Sequence, residues 1–317
     1  MKPKKEKYPE EFNSILEVFQ YFNSEKKAIK YLHWRRWQGN PVCPHCMYTK
    51  ICCFSDGIRF KCKGCKRQFT GKVGTIFESS KVSLRKWFIA IFLVISHKKG
   101  TSAHQMRKHL KVSYKTAWFM LHRIRHLLGI ENSQDKPLTG VIEADETFVG
   151  GKNKNRHWKK RCKKCTGRDW KDKTPILGLV ETGGKARTIV MPDTTSKSMR
   201  PLLLNNIKRN SILVTDEYNV YRSMAGYVSH EFVEHRLGRY INDCGFSTNT
   251  IEGFWTWIKR MIMGVYHNVS RKYLQYYAHE ATFRYNTRHM TDGERMVYAL
   301  SVCNGALKHK NLTGKHG

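Results

Sequence analysis

Apolar positions recur at helical spacing near the start of the chain: Phe12, Ile15, Leu16 and Phe19, then Ala28, Ile29 and Leu32. Two short helices are predicted within residues 1–40, and Gly39, Asn40 and Pro41 break the pattern at the end of "HWRRWQGNP". It returns in "SLRKWFIAIFLVISH" (83–97), a buried helix with Ser83 as its N-cap. Residues 100–129, "GTSAHQMRKHLKVSYKTAWFMLHRIRHLLG", read as a short helix, a turn near Val112 and Ser113, and a longer basic helix closing at Gly129. After the linker "ENSQDKP" (131–137) the period changes to that of strands: "GVIEADETFVGG", "PILGLVET" and "KARTIVMP". A helix follows in "SKSMRPLLLNNI", then a strand in "SILVTDEY" (211–218). That order predicts an α/β domain with a mixed sheet. "STNTIEGFWTWIKRMIMGV" (247–265) is an amphipathic helix capped by Ser247 or Thr248, and "RKYLQYYAHEATFRYNTR" (271–288) a helix whose tyrosines read as core. Residues 291–317 read as a C-terminal tail whose end, "KHKNLTGKHG" (308–317), is expected to fray.

Composition narrows what such a chain does. Its 317 residues are 40% hydrophobic and 12% aromatic, enough for more than one packed core and too many for a disordered basic tail. Against 25 Asp and Glu stand 58 Lys and Arg, a net charge of +33 that asks for a polyanionic partner. The longest apolar run, "WFIAIFLVIS", is too short to span a bilayer, and "MKPKKEKYPE" has no apolar signal segment, so nucleic acid is favoured over a membrane. Residues 80–130 have the layout of a helix-turn-helix, whose second helix would enter a major groove with Lys115, His122, Arg123 and, at the margin, Arg125. In the segment 152–173 half of the residues are Lys or Arg. It is expected to be a mobile loop ordered by nucleic acid, with Lys152, Lys154, Lys159 and Lys160 on phosphates. Arg260 joins that group.

Ten cysteines without a secretory signal point to metal before disulfides. "CPHC" (43–46) and "CKGC" (62–65) are fifteen residues apart, with two strands expected around an Asp56–Gly57 turn. Two such turns present Cys43, Cys46, Cys62 and Cys65 to one tetrahedral Zn2+, giving a zinc ribbon over 41–72. Cys52 and Cys53 read as strand residues, and His45 is superfluous. Cys162 and Cys165 form a lone pair of the same spacing, for which free thiols are favoured even with His157 nearby.

The acidic residues are few but clustered. Glu143, Asp145 and Glu146 sit at the end of a predicted strand, Asp216 at the end of another, and Glu252 on a helix, with 35 residues between it and Asp216. Glu143 and Asp145 share a strand face, so either suits a site there, whereas Glu146 points the other way. Like charges brought together in a sheet core need a cation between them. Two carboxylates from strands and a third from a helix can hold two Mg2+ or Mn2+ ions that act on a phosphodiester.

"DETFVGGK", "TDEY" and "NTIEGFW" followed by Lys259 and Arg260, after a zinc ribbon, resemble the ISXO-type insertion-sequence transposases, relatives of the eukaryotic Merlin elements. The resemblance runs from about Tyr31 to Met290. It implies a multidomain α+β chain: zinc ribbon and helix-turn-helix, then an RNase H-like catalytic domain with a mixed sheet over 138–290. It maps an Asp-Asp-Glu triad onto Asp145, Asp216 and Glu252, and a phosphate-contacting base onto Lys259. Asn249, one turn before Glu252, stands as a supporting or substitute residue. The implied activity is cutting of element ends at terminal inverted repeats and joining of the 3′-hydroxyl to target DNA. Double-stranded DNA and a homodimer or higher synaptic assembly are the implied partners. The implied place is the bacterial cytoplasm at the nucleoid, or the nucleus of a eukaryotic host. A DNA-binding regulator without catalysis and a nuclease without strand transfer are the rival readings.

Overall fold

The computed structural model describes residues 8–134, 136–151, 153–162, 170–234, 237 and 239–314. They form two compact units, one of residues 1–131 with 287–317 and one of residues 132–286.

In the first unit, α1 (Ile15–Tyr21) and α2 (Glu25–Trp37) start at Ser14 and Ser24, whose hydroxyls accept first-turn N–H groups. Gln38, in the left-handed region at φ 47°, ends α2. Tyr31 packs edge to face against Phe12, Phe22 and Phe88, Phe22 does the same against Phe88, and Phe12 meets Phe22 at a tilt. Three short antiparallel strands follow, β1 (Ile51–Cys53), β2 (Arg59–Cys62) and β3 (Gln68–Thr70), one more than the sequence pattern shows. Next come α3 (Leu84–Ser96), α4 (Ala103–Leu110) and α5 (Tyr114–Gln134). Ser83 caps α3 as expected, and Lys111 at φ 49° turns the chain between α4 and α5. α5 runs past Gly129, the expected end, because a single glycine costs a helix about 1 kcal/mol and packing outweighs that.

The second unit holds a five-stranded sheet in the order β6-β5-β4-β7-β8. Its strands are β4 (Val141–Val149), β5 (Thr174–Glu181), β6 (Ala186–Val190), β7 (Ile212–Thr215) and β8 (Ser229–Phe232). The first three form an antiparallel meander, and β7 and β8 run parallel to β4. α6 (Ser196–Asn206) covers one face with Met199 and Leu203, meeting Ile142, Ala144, Leu177 and Leu213. α7 (Asn249–Met261) and α8 (Leu274–Asn286) cover the other, where Ile251, Trp255, Ile258 and Ala281 meet Ile176 and Val180. Three antiparallel strands, two parallel ones and helices on both faces make the RNase H-like mixed sheet.

The helix expected over 247–265 is α7 as far as Met261 and a π-helical turn, Ile262–Tyr266, beyond it. The strand expected over 211–218 stops at Thr215, where the chain turns into a 3-10 segment, Asn219–Met224. The tail does not fray among its described residues. α9 (Asp292–Ser301) opens on a reciprocal cap between Thr291 and Glu294, and α10 (His309–Thr313) follows. Met296, Leu300, Cys303, Leu307 and Leu312 bury the segment in the first unit, so apolar spacing outweighs its basic composition. Gly293 lets α9 lie against Phe12, whose backbone would meet any added Cβ at 2.3 Å.

The basic segment is also partly folded. Asp172 pairs with Arg156 at 2.6 Å, and the Arg161 guanidinium donates to the carbonyls of Arg156 and Lys154. One buried carboxylate and several carbonyls suffice to order these arginines without nucleic acid. Cys162 is disulfide-bonded, where a free thiol was favoured; Cys165 and Lys152 lie outside the described residues. His157 is exposed and takes no part in a ligand cluster among the described residues; its ring accepts the Lys159 N–H.

Candidate active site

β4 and β7 lie side by side, with Val141 level with Ile212, Ile142 with Leu213 and Glu143 with Val214. The same register carried two residues on sets Asp145 level with Asp216, just past the end of β7. Neighbouring strands are about 4.8 Å apart, so the two aspartates leave the sheet at one point. Alternation turns Glu143 and Asp145 toward the face that α7 covers.

Those two carboxylates have different partners. Glu143 is buried, and its Oε2 accepts the Ile251 N–H at 2.9 Å. That satisfies the first turn of α7, whose N-cap residue Thr248 makes no side-chain cap bond, with a negative charge where the helix dipole favours one. Asp145 is half-buried, and its Oδ2 accepts the Trp255 indole N–H at 3.0 Å. The indole fits because Gly178, paired with Asp145 on β5, has no side chain; a Cβ there would sit 2.4 Å from the Trp255 ring. Asp216 Oδ1 accepts the Tyr218 N–H at 3.0 Å.

Asp145, Asp216, Glu252 and Lys259 line one open cleft of about 660 Å3. Glu252 and Lys259 are exposed and nearly two turns apart, so they share a side of α7. Asn249 is exposed at the start of α7 and is not among the cleft-lining residues, so helix position alone does not make it a substitute ligand.

The cleft is also lined by Glu146, which strand alternation turns the other way, and by Lys173 and Trp255, which the sequence pattern did not single out. Glu146 does lie on the α6 side of β4, but strand twist at the sheet's end lets it reach the same crevice. Its Oε1 accepts the Tyr221 hydroxyl at 2.5 Å. Burial pushes its carboxyl up to about 8; the Tyr221 hydrogen bond opposes this, and the charges of Asp145 and Asp216 add to it. Burial likewise holds the Tyr221 phenol well above its ordinary value.

The other predicted metal site is in the first unit. Cys43, Cys46, Cys62 and Cys65 place all four sulfurs within 4.8 Å of one another, the one such group of ligands among the described residues. Cys43 and Cys65 are 3.7 Å apart and Cys46 and Cys62 3.6 Å. A tetrahedron of Zn–S bonds near 2.3 Å has edges of about 3.8 Å, so the set fits Zn2+. The Tyr48 backbone hydrogen bond draws the Cys46 thiol down to about 7, whereas at Cys65 the Arg67 backbone hydrogen bond is outweighed by burial and the neighbouring thiols, which push it up to about 11. Cys52 and Cys53 are exposed on β1.

The proposed groove-reading face is different from the one expected. Lys115 is exposed, but His122 and Arg123 are buried, as is Arg125. Arg123 donates to the carbonyls of Leu307, Ile76 and Glu78, and His122 packs on Trp118 with ring centres 4.3 Å apart. α5 is enclosed along its middle, so its basic residues there serve the fold. Exposed basic groups include Arg107 and Lys108 on α4, Lys111 just after it, and Lys115, beside the exposed Tyr114, at the start of α5. Lys154, Lys159 and Arg260 are exposed, and the Lys160 side chain lies outside the described residues.

A family model for the ISXO2-like transposase domain matches residues 137–286, and one for a transposase zinc-ribbon domain matches residues 23–68. An uncharacterized protein in transposable element ISH50 of Halobacterium salinarum is 30% identical over 233 residues, which cover 70% of this chain and 78% of that protein. The chain belongs to the ISXO2-like transposases. Among solved structures, the Mos1 strand transfer complex aligns with 70% of the transposase and 79% of its own chain at 11% identity. Its TM-score of 0.21 is too low to add to the topology described above. No helix among the transposase's described residues is long and apolar enough to cross a membrane.

Proposed function

We propose that this transposase cuts the ends of its element at terminal inverted repeats and joins the freed 3′-hydroxyl to target DNA, with Asp145, Asp216 and Glu252 holding two Mg2+ or Mn2+ ions. The observation that carries the reading is the strand register that sets Asp145 level with Asp216, in one cleft with Glu252 and Lys259. Three carboxylates on three separate elements are a hard oxygen donor set suited to these cations. When bound, such ions activate the attacking oxygen and stabilise the leaving one.

The chain's own groups do the rest. Trp255 orients Asp145, and Glu143 anchors the helix that carries Glu252 and Lys259. The Lys259 ammonium is placed to contact the scissile phosphate. The zinc ribbon and the exposed start of α5 would hold the repeat, and the basic surface the flanking duplex. Two ends held together require a homodimer or larger assembly, acting at the nucleoid of the bacterial cytoplasm or in a eukaryotic host's nucleus.

Terminal-repeat duplexes incubated with the protein and Mg2+ should yield cut ends and strand-transfer products. Asp216→Asn and Glu252→Gln should reduce both to background while leaving repeat binding intact, and Asn249→Ala should stay active. Normal cutting by the Asp216→Asn protein overturns the reading.

A further inference from the structure

Asp216 is also a wall of a second cavity, of about 580 Å3, beside the catalytic cleft. Tyr218 and Phe232 line it, 40% and 49% exposed. Both are fixed in place. The Tyr218 hydroxyl donates to the Thr194 carbonyl at 3.0 Å. Phe232 ends β8, level with Thr215, the residue before Asp216. β8 is the edge strand of the sheet among the described residues. Two aromatic side chains are thus kept open to solvent next to a proposed catalytic aspartate, where packing alone gives no reason for them.

Charge decides what such a cavity takes. Besides Asp216, its walls carry Glu217 and Glu234 against Arg222 and a histidine. The balance repels a phosphate but tolerates a flat, uncharged group with polar edges. Carboxylate oxygens accept hydrogen bonds from exocyclic amines such as those of cytosine and adenine. Aromatic rings stack on any base.

We infer that this cavity receives one unstacked nucleobase of the DNA strand whose phosphate lies at Asp216, held against Tyr218 and Phe232. The inference rests on the reading of Asp216 as part of the reactive site. A base turned out of the stack can reach a cavity beside its own phosphate, and stacking there offsets part of the cost of unstacking it. Stacking on one aromatic ring is worth roughly ten-fold in affinity for that base.

The test uses the full chain and terminal-repeat duplexes scanned with 2-aminopurine, one position at a time, in Ca2+. The wild type should change the emission at one position beside the scissile phosphate. Phe232→Ala should abolish that change, and Phe232→Trp should restore it. In Mg2+, Phe232→Ala should slow cutting about ten-fold on intact ends. On ends abasic at that position, it should cut at the wild-type rate. No responding position, an unchanged response in Phe232→Ala, or equal losses on intact and abasic ends overturns the proposal. Loss of self-association by Phe232→Ala with unaltered emission assigns the surface to a second copy of this chain and also overturns it. If Asp216→Asn cuts normally while the emission change persists, the catalytic reading fails and the base pocket stands.

Discussion

The zinc ribbon and the carboxylate cleft assemble ligands in opposite ways. Four cysteines come from two tight turns, and their sulfurs already stand 3.6–3.7 Å apart in pairs. Cys43 and Cys62 are fully buried and pack with Phe60 and Phe69 as part of an apolar cluster. The three carboxylates come from a strand, the residue after a strand, and a helix, and they do not close to the 4.8 Å spacing of the sulfurs. Thiols can be packed as core and then bind a metal. Carboxylates repel one another, so their elements must be held apart by independent packing. The zinc site belongs to the fold; the proposed catalytic metal site is flanked by a fold that stands without it.

Breaking the first centre should therefore have the largest effect. Cys62→Ser should drop the zinc content from one ion per chain to none and unfold the ribbon, since structural zinc contributes on the order of 10 kcal/mol to such small domains. Elemental analysis and protease sensitivity of residues 41–72 check this. Asp216→Asn should leave the melting temperature of the second unit near that of the wild type. A protein that keeps zinc without Cys62, or a second unit that unfolds without Asp216, contradicts the contrast.

The second centre is vulnerable instead through the packing behind it. Gly178→Ala puts a methyl group into the Trp255 indole, displacing the helix that carries Glu252 and Lys259. Overpacking of this kind costs about 1–3 kcal/mol. Denaturant melts should show that loss, and cutting should fall further than stability does, because α7 supplies one wall of the cleft. Trp255→Phe in the same background should relieve part of the strain without restoring the hydrogen bond to Asp145. Full activity in Gly178→Ala would mean that α7 does not set the geometry.

The same contrast explains what could be read from the sequence. Cysteine spacing is local, so the zinc ligands follow from two four-residue motifs. A mixed sheet was legible because strand patterning is local as well, but its edge strand β8, only four residues long, showed no such pattern. The pairing of Asp145 with Asp216 needs the register of two parallel strands 71 positions apart, which no local pattern contains; the family motifs supplied it. Glu146 was set aside because alternation treats a strand as flat to its end. His122 and Arg123 were misplaced because the charge of a helix residue says little when the carbonyls of Leu307 and Ile76 come from distant segments to meet it. The end of the tail was misjudged because "KHKNLTGKHG" carries a single apolar side chain, the buried Leu312, and one residue shows no period.

Glu146 gives a smaller test of how the cleft tolerates charge. Its carboxyl titrates at about 8 in the folded chain against an ordinary value of 4.5. Between those values the folded state holds a proton that the unfolded state has released, so stability falls as pH rises through that window and levels off above it. Glu146→Gln keeps an acceptor for the Tyr221 hydroxyl and cannot ionise. Its melting temperature, measured without added divalent cations, should lose the wild-type decline between about pH 5 and 8. Parallel profiles for the two proteins would mean that the carboxyl is not held protonated.

The smallest effect expected is at the start of α5, and it separates charge that reads DNA from charge that serves the fold. Lys115 is exposed, so Lys115→Ala should leave stability unchanged. If it meets one phosphate, the slope of log affinity against log salt should become shallower by about 0.9. Arg123 is only 6% exposed, and its side chain bonds three carbonyls, so Arg123→Met should lower the melting temperature and leave the salt slope as it was. Repeat binding titrated at several salt concentrations measures both. The outcome that defeats this assignment is a slope that changes in Arg123→Met but not in Lys115→Ala. It would return the groove-reading face to the middle of α5, against the burial that encloses it.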